Sequence, residues 1–310
     1  MRRIALFFLC VVSIFSEENT TYDCIFVGSS PQSLFEALYQ HALGKSVLIL
    51  EEGPRCGGSW QSVDICGVAH ADVGCHEIGN NAPLNEFLQE YAGCSLIPLD
   101  SGYYFSGGCY ELVYNLEMRI HNSSINLLKN HRVDRICYNE STKIVTVESD
   151  SEKYQGIKVY APSYSYFSVD DQMPKAPKKT QYHHLYLLIN DPTPPRFAYR
   201  HGVCNVSRMM NLTHFVDLKG TGQQLIVFQT WNMECPEKTL LAELISQNLL
   251  DPAAYILKAD WFTYEQYPAN SIKCTPTPWF EQMQTFDFRA IANHITRWKE
   301  AILPYVEAVP

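Results

Sequence analysis

Tyr22-Asp-Cys-Ile-Phe-Val-Gly-Ser-Ser-Pro-Gln-Ser33, followed by Ser46-Val-Leu-Ile-Leu-Glu51, is the stretch whose reading decides the fold. Its first six residues are a short run of strand formers closed by Gly28. Leu34, Leu38 and Ala42, with Ala37 less regular, then recur at helical spacing up to Gly44, a natural helix stop. Ser46–Leu50 reads as a fully buried strand ending in Glu51 and Glu52. A strand–helix–strand unit of about thirty residues is right-handed and brings its strands together in parallel. The turn after its first strand aims backbone N–H groups and a helix N-terminus at one place, which suits a pyrophosphate. An acid closing the second strand accepts hydrogen bonds from ribose hydroxyls. The glycine fingerprint of such turns stands here as Gly28-Ser29-Ser30-Pro31-Gln32-Ser33, a G-x-S-x-x-S. The spacing of 23 residues from Gly28 to Glu51 carries the reading.

Six residues past Glu51 comes Gly57-Gly58-Ser59-Trp60. With it the sequence resembles the flavoprotein superfamily of FAD-dependent amine oxidases, phytoene desaturases and UDP-galactopyranose mutases. Ala71-Asp-Val-Gly-Cys-His76 resembles the family's D-x-G-x-H segment. Phe105-Ser-Gly-Gly-Cys-Tyr-Glu-Leu112 resembles its GG-x-x-x-L helix start, the helix running to about His121. Ile125 to Ile136 resembles the segment whose valine backbone meets adenine. The resemblance implies FAD, seated against Gly28, Ser29, Ser30, Ser33, Glu51, Gly57, Gly58, Ser59, Trp60 and Val133. It assigns no catalytic residue. The sequence departs from the family in three places. Ser30 and Ser33 replace the second and third glycines, and only about thirty residues separate His76 from Gly107. The terminal Gly-Asp motif has no counterpart in Ile291–Glu300, which reads as an amphipathic helix carrying Trp298.

The expected fold is therefore α/β: a Rossmann-type FAD/NAD(P)-binding parallel sheet and a second, smaller lobe on a mixed or antiparallel sheet. Residues 17–170 form the first domain, with further strands at Lys143–Glu148 and Ile157–Ala161. Residues 171–310 form the second lobe and the C-terminal helix, with strands at Leu185–Ile189 and Leu225–Thr230 and a helix over Glu237–Leu250. Met173–Lys179, rich in Pro and Lys, reads as the link between them.

Arg2 and Arg3 precede an apolar run from Ile4 to Phe15. Twelve residues are too few for a bilayer core of about 30 Å, which needs roughly 20, so no transmembrane segment is expected. A basic start, a short apolar core and Ser16 before Glu17 read as a signal peptide over residues 1–16, placing the protein outside the cytoplasm. Of 11 cysteines, ten lie beyond that signal, an even number that permits disulfides without giving their pairing. Cys24 falls inside a strand and reads as a buried thiol. Asn19, Asn122, Asn139, Asn205 and Asn211 begin glycosylation sequons.

The full 310-residue chain has ordinary globular composition, with 46% apolar and 18% charged residues. A net charge of −9 with scattered Lys and Arg gives no basic stripe, and no nucleic-acid partner is expected. No metal site is expected either: His183 and His184 point to opposite faces of a strand, and no C-x-x-C pair occurs. Walker A and G-x-S-x-G patterns are absent, which removes the anchors for P-loop and serine-hydrolase readings. Two functions stay open. One is an exported FAD-dependent oxidoreductase passing hydride from an unknown small-molecule substrate to flavin. The other is a non-catalytic module that keeps the fold to bind a protein partner.

Overall fold

The structure, a computed structural model, describes residues 20–74, 76–99, 102–150, 152–162, 168–169, 180–190, 198–200, 205–218, 220–230, 236–266, 277–283 and 294–299. The expected signal peptide and the expected link at 173–179 lie outside the described residues. In chain order the elements are β1 (Thr21–Val27), α1 (Pro31–Ala42), β2 (Val47–Glu51), β3 (Ser62–Ile65), β4 (Val68–Asp72), β5 (Ile78–Gly79), α2 (Ala82–Glu90), β6 (Leu96–Pro98), β7 (Gly102–Phe105) and α3 (Gly108–His121). They continue as β8 (Asn126–Lys129), β9 (Val133–Asn139), β10 (Ile144–Ser149), β11 (Glu152–Pro162), β12 (Ser168–Val169), β13 (Thr180–Asn190), β14 (Ala198–Arg200), β15 (Val206–Asn211), β16 (Gln223–Thr230), α4 (Glu237–Ser246), β17 (Tyr255–Gln266) and β18 (Phe280–Met283).

β1 and β2 are adjacent and parallel, with Ile25 opposite Leu48, as the opening stretch predicts. β8 extends the sheet beyond β2, and β11 lies on the other side of β1, both parallel. β11 is eleven residues long and changes neighbours along its outer edge. Its first half pairs antiparallel with β10, and its end pairs parallel with β18. β9, β10 and β11 thus form an antiparallel meander attached to the parallel sheet. The alternation of a doubly covered strand sorts the side chains. Cys24, Phe26, Val47 and Ile49 pack with residues of α1 and α3, among them Leu34, Leu38, Leu112 and Leu116. Ile25, Leu48, Leu50 and Val159 pack with the meander residues Ile136, Val145 and Val147.

The second sheet has the order β14-β15-β16-β13-β17 and is antiparallel throughout. Leu185, Leu187, Ile189 and Phe228 pack with Leu240 and Leu244 of α4. Tyr186, Leu225, Val227 and Met210 join the core of the first lobe. Polar contacts tie the lobes, among them the Tyr186 hydroxyl donating to the Asp72 carbonyl at 2.6 Å, the Cys66 N–H donating to Asp260 at 2.8 Å and the Cys66 thiol donating to the Tyr186 carbonyl at 3.5 Å. The helix read as ending at Leu250 stops at Ser246. There Asn248 takes φ 55°, and the Leu249 N–H returns to the Leu244 carbonyl at 2.8 Å, a left-handed termination.

β18, which follows the last strand of the second sheet in the chain, joins the first sheet beside β11. The helical residues 294–299 then settle on α1, where the fully buried Trp298 stacks on Phe35 at 5.3 Å. Its indole N–H donates to the buried Glu36 carboxylate at 2.9 Å, and Arg297 pairs with the same group. Cys24, Cys56, Cys66, Cys94, Cys109 and Cys137 are free thiols, and Cys24 is buried as its place in a strand implies. Asn211, one of the sequon asparagines, is 2% exposed, and its amide donates to Gln224. Among the described residues no helix is long and apolar enough to cross a membrane.

Candidate functional site

The C-terminal ends of β1 and β2 meet at a turn built by glycine and serine. Gly28 holds φ 87°, a conformation that L side chains rarely adopt, and open space lies where a Cβ would stand. Its N–H donates to the Leu50 carbonyl at 2.8 Å, pinning the turn to β2. The next residue is bound to the acid: the Ser29 N–H and hydroxyl both donate to Oε2 of Glu51, at 2.9 and 2.5 Å. The other oxygen, Oε1, accepts the Gly53 N–H at 2.8 Å. Ser30 caps α1, accepting the Ser33 N–H at 3.3 Å, and its hydroxyl lies 3.0 Å from that of Ser33. Pro31 opens the helix where its missing N–H costs nothing. Both serines that replace fingerprint glycines are buried and face each other.

The Gly57–Trp60 loop is tied to this turn, because the Gly57 N–H donates to the Ser29 carbonyl at 3.0 Å. A Cβ on Gly57 would stand 3.0 Å from Val113 of α3 and 3.1 Å from the Gln61 nitrogen, so packing against α3 requires this glycine. Gly58 (φ 57°) opens onto space. The Ser59 hydroxyl oxygen is buried with no hydrogen-bond partner. Val133 is brought to the same edge by its backbone: the His131 N–H donates to the Glu51 carbonyl at 2.8 Å, and the Asn130 N–H to the Gly53 carbonyl at 3.1 Å. The Val133 side chain points elsewhere, into the core beneath the meander. The structure therefore gathers Gly28, Ser29, Glu51, the Gly57 loop and the approach to Val133. It turns Ser30 and Ser33 toward one another.

Beyond the loop, Trp60 stacks on His76 with centroids 4.3 Å apart. The segment leading to His76 is clasped by Asp72, which is buried and accepts the Ser62 hydroxyl at 3.0 Å, the Cys109 N–H at 2.9 Å and the Tyr104 hydroxyl. Burial pushes the Asp72 carboxyl above its ordinary range. A Cβ on Gly108 would stand 2.8 Å from Asp72 Oδ2, so the glycine at the start of α3 is what lets the two segments close. Burial likewise holds His76 below the ordinary histidine range. From β13, His184 covers Gly74, its Nε2 3.3 Å from where a Cβ would be. His184 is fully buried, and neither ring nitrogen has a hydrogen-bond partner. Burial, reinforced by His76, drags its pKa down to about 3. Its neighbour His183 faces the other side and lies 2.9 Å from the Thr263 hydroxyl.

The sequence pointed to the turn, the acid and the His76 segment, but neither to His184 over Gly74 nor to the Asp72–Tyr104 clasp. Both depend on residues far apart in the chain: the paired histidines at the head of a strand were the local signal for the first, and the acid of the Asp72–His76 segment for the second. Among the described residues no group of three metal-ligating side chains converges.

No protein-family model matches this sequence, and no curated protein does. Solved structures do match. Putrescine oxidase, determined with putrescine bound, superposes with a TM-score of 0.66 at 11% identity over 93% of this chain and 99% of that one. Cyclohexylamine oxidase from Brevibacterium oxydans gives 0.63 at 11% identity over 93% and 99%. An oxidoreductase from Methanosarcina mazei gives 0.63 at 11% identity over 90% and 100%. These likenesses establish one thing about the chain: it shares the fold of these oxidoreductases, an α/β fold built on a parallel Rossmann-type sheet.

Proposed function

We propose that this protein is an FAD-dependent oxidoreductase that takes hydride from a small organic substrate, and that it works outside the cytoplasm after residues 1–16 are removed. The observation that carries the reading is the Glu51 carboxylate, held at the end of β2 against the Gly28 turn and linked through Ser29 to the Gly57 loop. The residues present fit the cofactor. Space is open over Gly28 and Gly58, and the Ser59 hydroxyl awaits a partner. Glu51 retains an acceptor position, since a carboxylate offers about four and three are engaged.

In this reading Gly28–Ser33 and the start of α1 receive the pyrophosphate, where backbone N–H groups and the helix dipole favour negative charge. Glu51 orients the adenosine ribose, and the backbone at Val133 borders the adenine. Gly57–Trp60 lies toward the reacting ring. Bound there, the flavin supplies the hydride acceptor, and the protein contributes binding, orientation and electrostatics. The Trp60–His76 stack and the buried His184 exclude water from one side of the loop. Burial keeps both histidines uncharged near neutral pH, so this wall adds no fixed positive charge of its own.

The test is flavin absorbance of purified protein reconstituted with FAD, compared with Glu51→Ala. The wild type takes up flavin and the variant loses it. A folded wild type that takes up none would refute the oxidoreductase reading and leave the binding module. Export is checked by intact mass of the protein from its native cell: a chain beginning near Glu17 is expected, and one retaining Met1 or Arg2 refutes it.

A further inference from the structure

We propose that Ser29 is a built-in competitor for the cofactor's ribose, so that the adenosine half of FAD is held reversibly rather than locked in place. The inference rests on the FAD reading above and adds a residue that sets affinity. Ser29 donates twice to one carboxylate oxygen, through its N–H at 2.9 Å and its hydroxyl at 2.5 Å. The hydroxyl is aimed from behind: the Gly57 N–H approaches the Ser29 oxygen at 3.3 Å, leaving its single hydrogen for Glu51. With Gly53 on the other oxygen, one acceptor position of about four remains.

A ribose presents two neighbouring hydroxyls and needs two positions. Engaging both requires the Ser29 hydroxyl to release Glu51, whereas the two backbone N–H donors are fixed by the turn. The 2.5 Å contact is a charge-assisted hydrogen bond, stronger than the neutral kind. Ribose thus fills the one remaining position with its first hydroxyl, and for its second exchanges one good hydrogen bond for another. The adjoining serines follow the same pattern, because the Ser30 hydroxyl already answers the Ser33 N–H at the head of α1. The protein without cofactor is thereby satisfied by its own hydroxyls, at a site that would otherwise leave a nearly buried carboxylate short of donors.

The experiment is calorimetric titration of the full-length protein with FAD, ADP and FMN, using wild type, Ser29→Ala and Ser29→Gly. Two variants are used so that a local packing defect in one does not decide the outcome, and circular dichroism confirms that each is folded. Removing the hydroxyl should tighten FAD and ADP about tenfold, in keeping with a hydrogen bond to a charged group, and leave FMN, which lacks adenosine, unchanged. Equal or weaker FAD and ADP binding by both variants overturns the proposal while leaving the FAD reading intact. A gain shared by FMN also overturns it, since the effect would not pass through the ribose. Failure of wild type and variants alike to bind FAD or ADP overturns the FAD reading and this proposal together.

Discussion

Replacing His184 with Phe should make the protein markedly less sensitive to mild acid. In the folded state the ring is fully buried between Gly74 and Tyr264, with no partner for either nitrogen, and its pKa falls to about 3. The unfolded chain returns it to about 6.5. A group whose folded pKa is depressed leaves stability intact above its unfolded value. Below that value the unfolded state takes up a proton that the folded state refuses. Between pH 6.5 and 3 each unit of acid therefore costs up to about 1.4 kcal/mol, and at pH 5 the accumulated loss is about 2 kcal/mol. At pH 7.5 it is close to zero, and Phe, which keeps the stack on Tyr264 and removes two unsatisfied nitrogens, should be neutral or mildly stabilising. His76, His183 and Arg208, the charged or titratable groups acting on His184, remain in both proteins, so the difference between them isolates this one ring. Urea unfolding of both proteins at pH 7.5, 6.5 and 5 provides the measurement. Curves that fall in parallel with acid would refute the reasoning, because His184 would then be gaining its proton while folded.

Two further substitutions probe the frame around the site. Gly108→Ala forces a side chain into φ 69° and sets its Cβ 2.8 Å from Asp72; a loss of about 3 kcal/mol in urea unfolding is expected, and a loss under 1 kcal/mol would mean the clasp yields easily. Glu36→Ala strips the acceptor from Trp298 and Gln40. Arg297, 38% exposed at its side chain, can turn to water, so the cost should be about 2 kcal/mol, with faster proteolysis beyond residue 283; unchanged cleavage would show that the aromatic stack alone holds the segment.

The parts of this structure legible in the sequence are those set by local pattern. The β1–α1–β2 unit rests on two short apolar runs and a helical 3.6-residue period between them, punctuated by glycines at Gly28 and Gly44. The acid at the end of β2 was legible for the same reason, from spacing alone. What the acid does was not, because its engagement depends on how Ser29 points, and a serine hydroxyl can face phosphate or protein with equal chemical sense. Gly57 shows the converse. Its pairing with Gly58 suggests room for a cofactor, whereas the contact that demands glycine is Val113, more than fifty residues further along. Phe280-Glu-Gln-Met283 carries no alternation that would mark it as a strand, and the free edge of β11 makes it one. The end of α4 was missed because Leu249 and Leu250 continue the apolar pattern after the backbone has already turned at Asn248.

The shared outer edge of β11 also bears on how the molecule is made. Ribosomes deliver the chain from its N-terminus, and domains usually fold as they emerge. Here Val159–Pro162 can find its parallel neighbour only after residues 280–283 have left the exit tunnel, with the whole second lobe synthesised in between. Until then the first lobe presents an unpaired, largely apolar rim, the kind of edge that invites pairing with other chains. Truncation before Phe280 should therefore yield an aggregating product rather than a smaller folded one, and nascent chains of that length are where chaperone attendance would be concentrated.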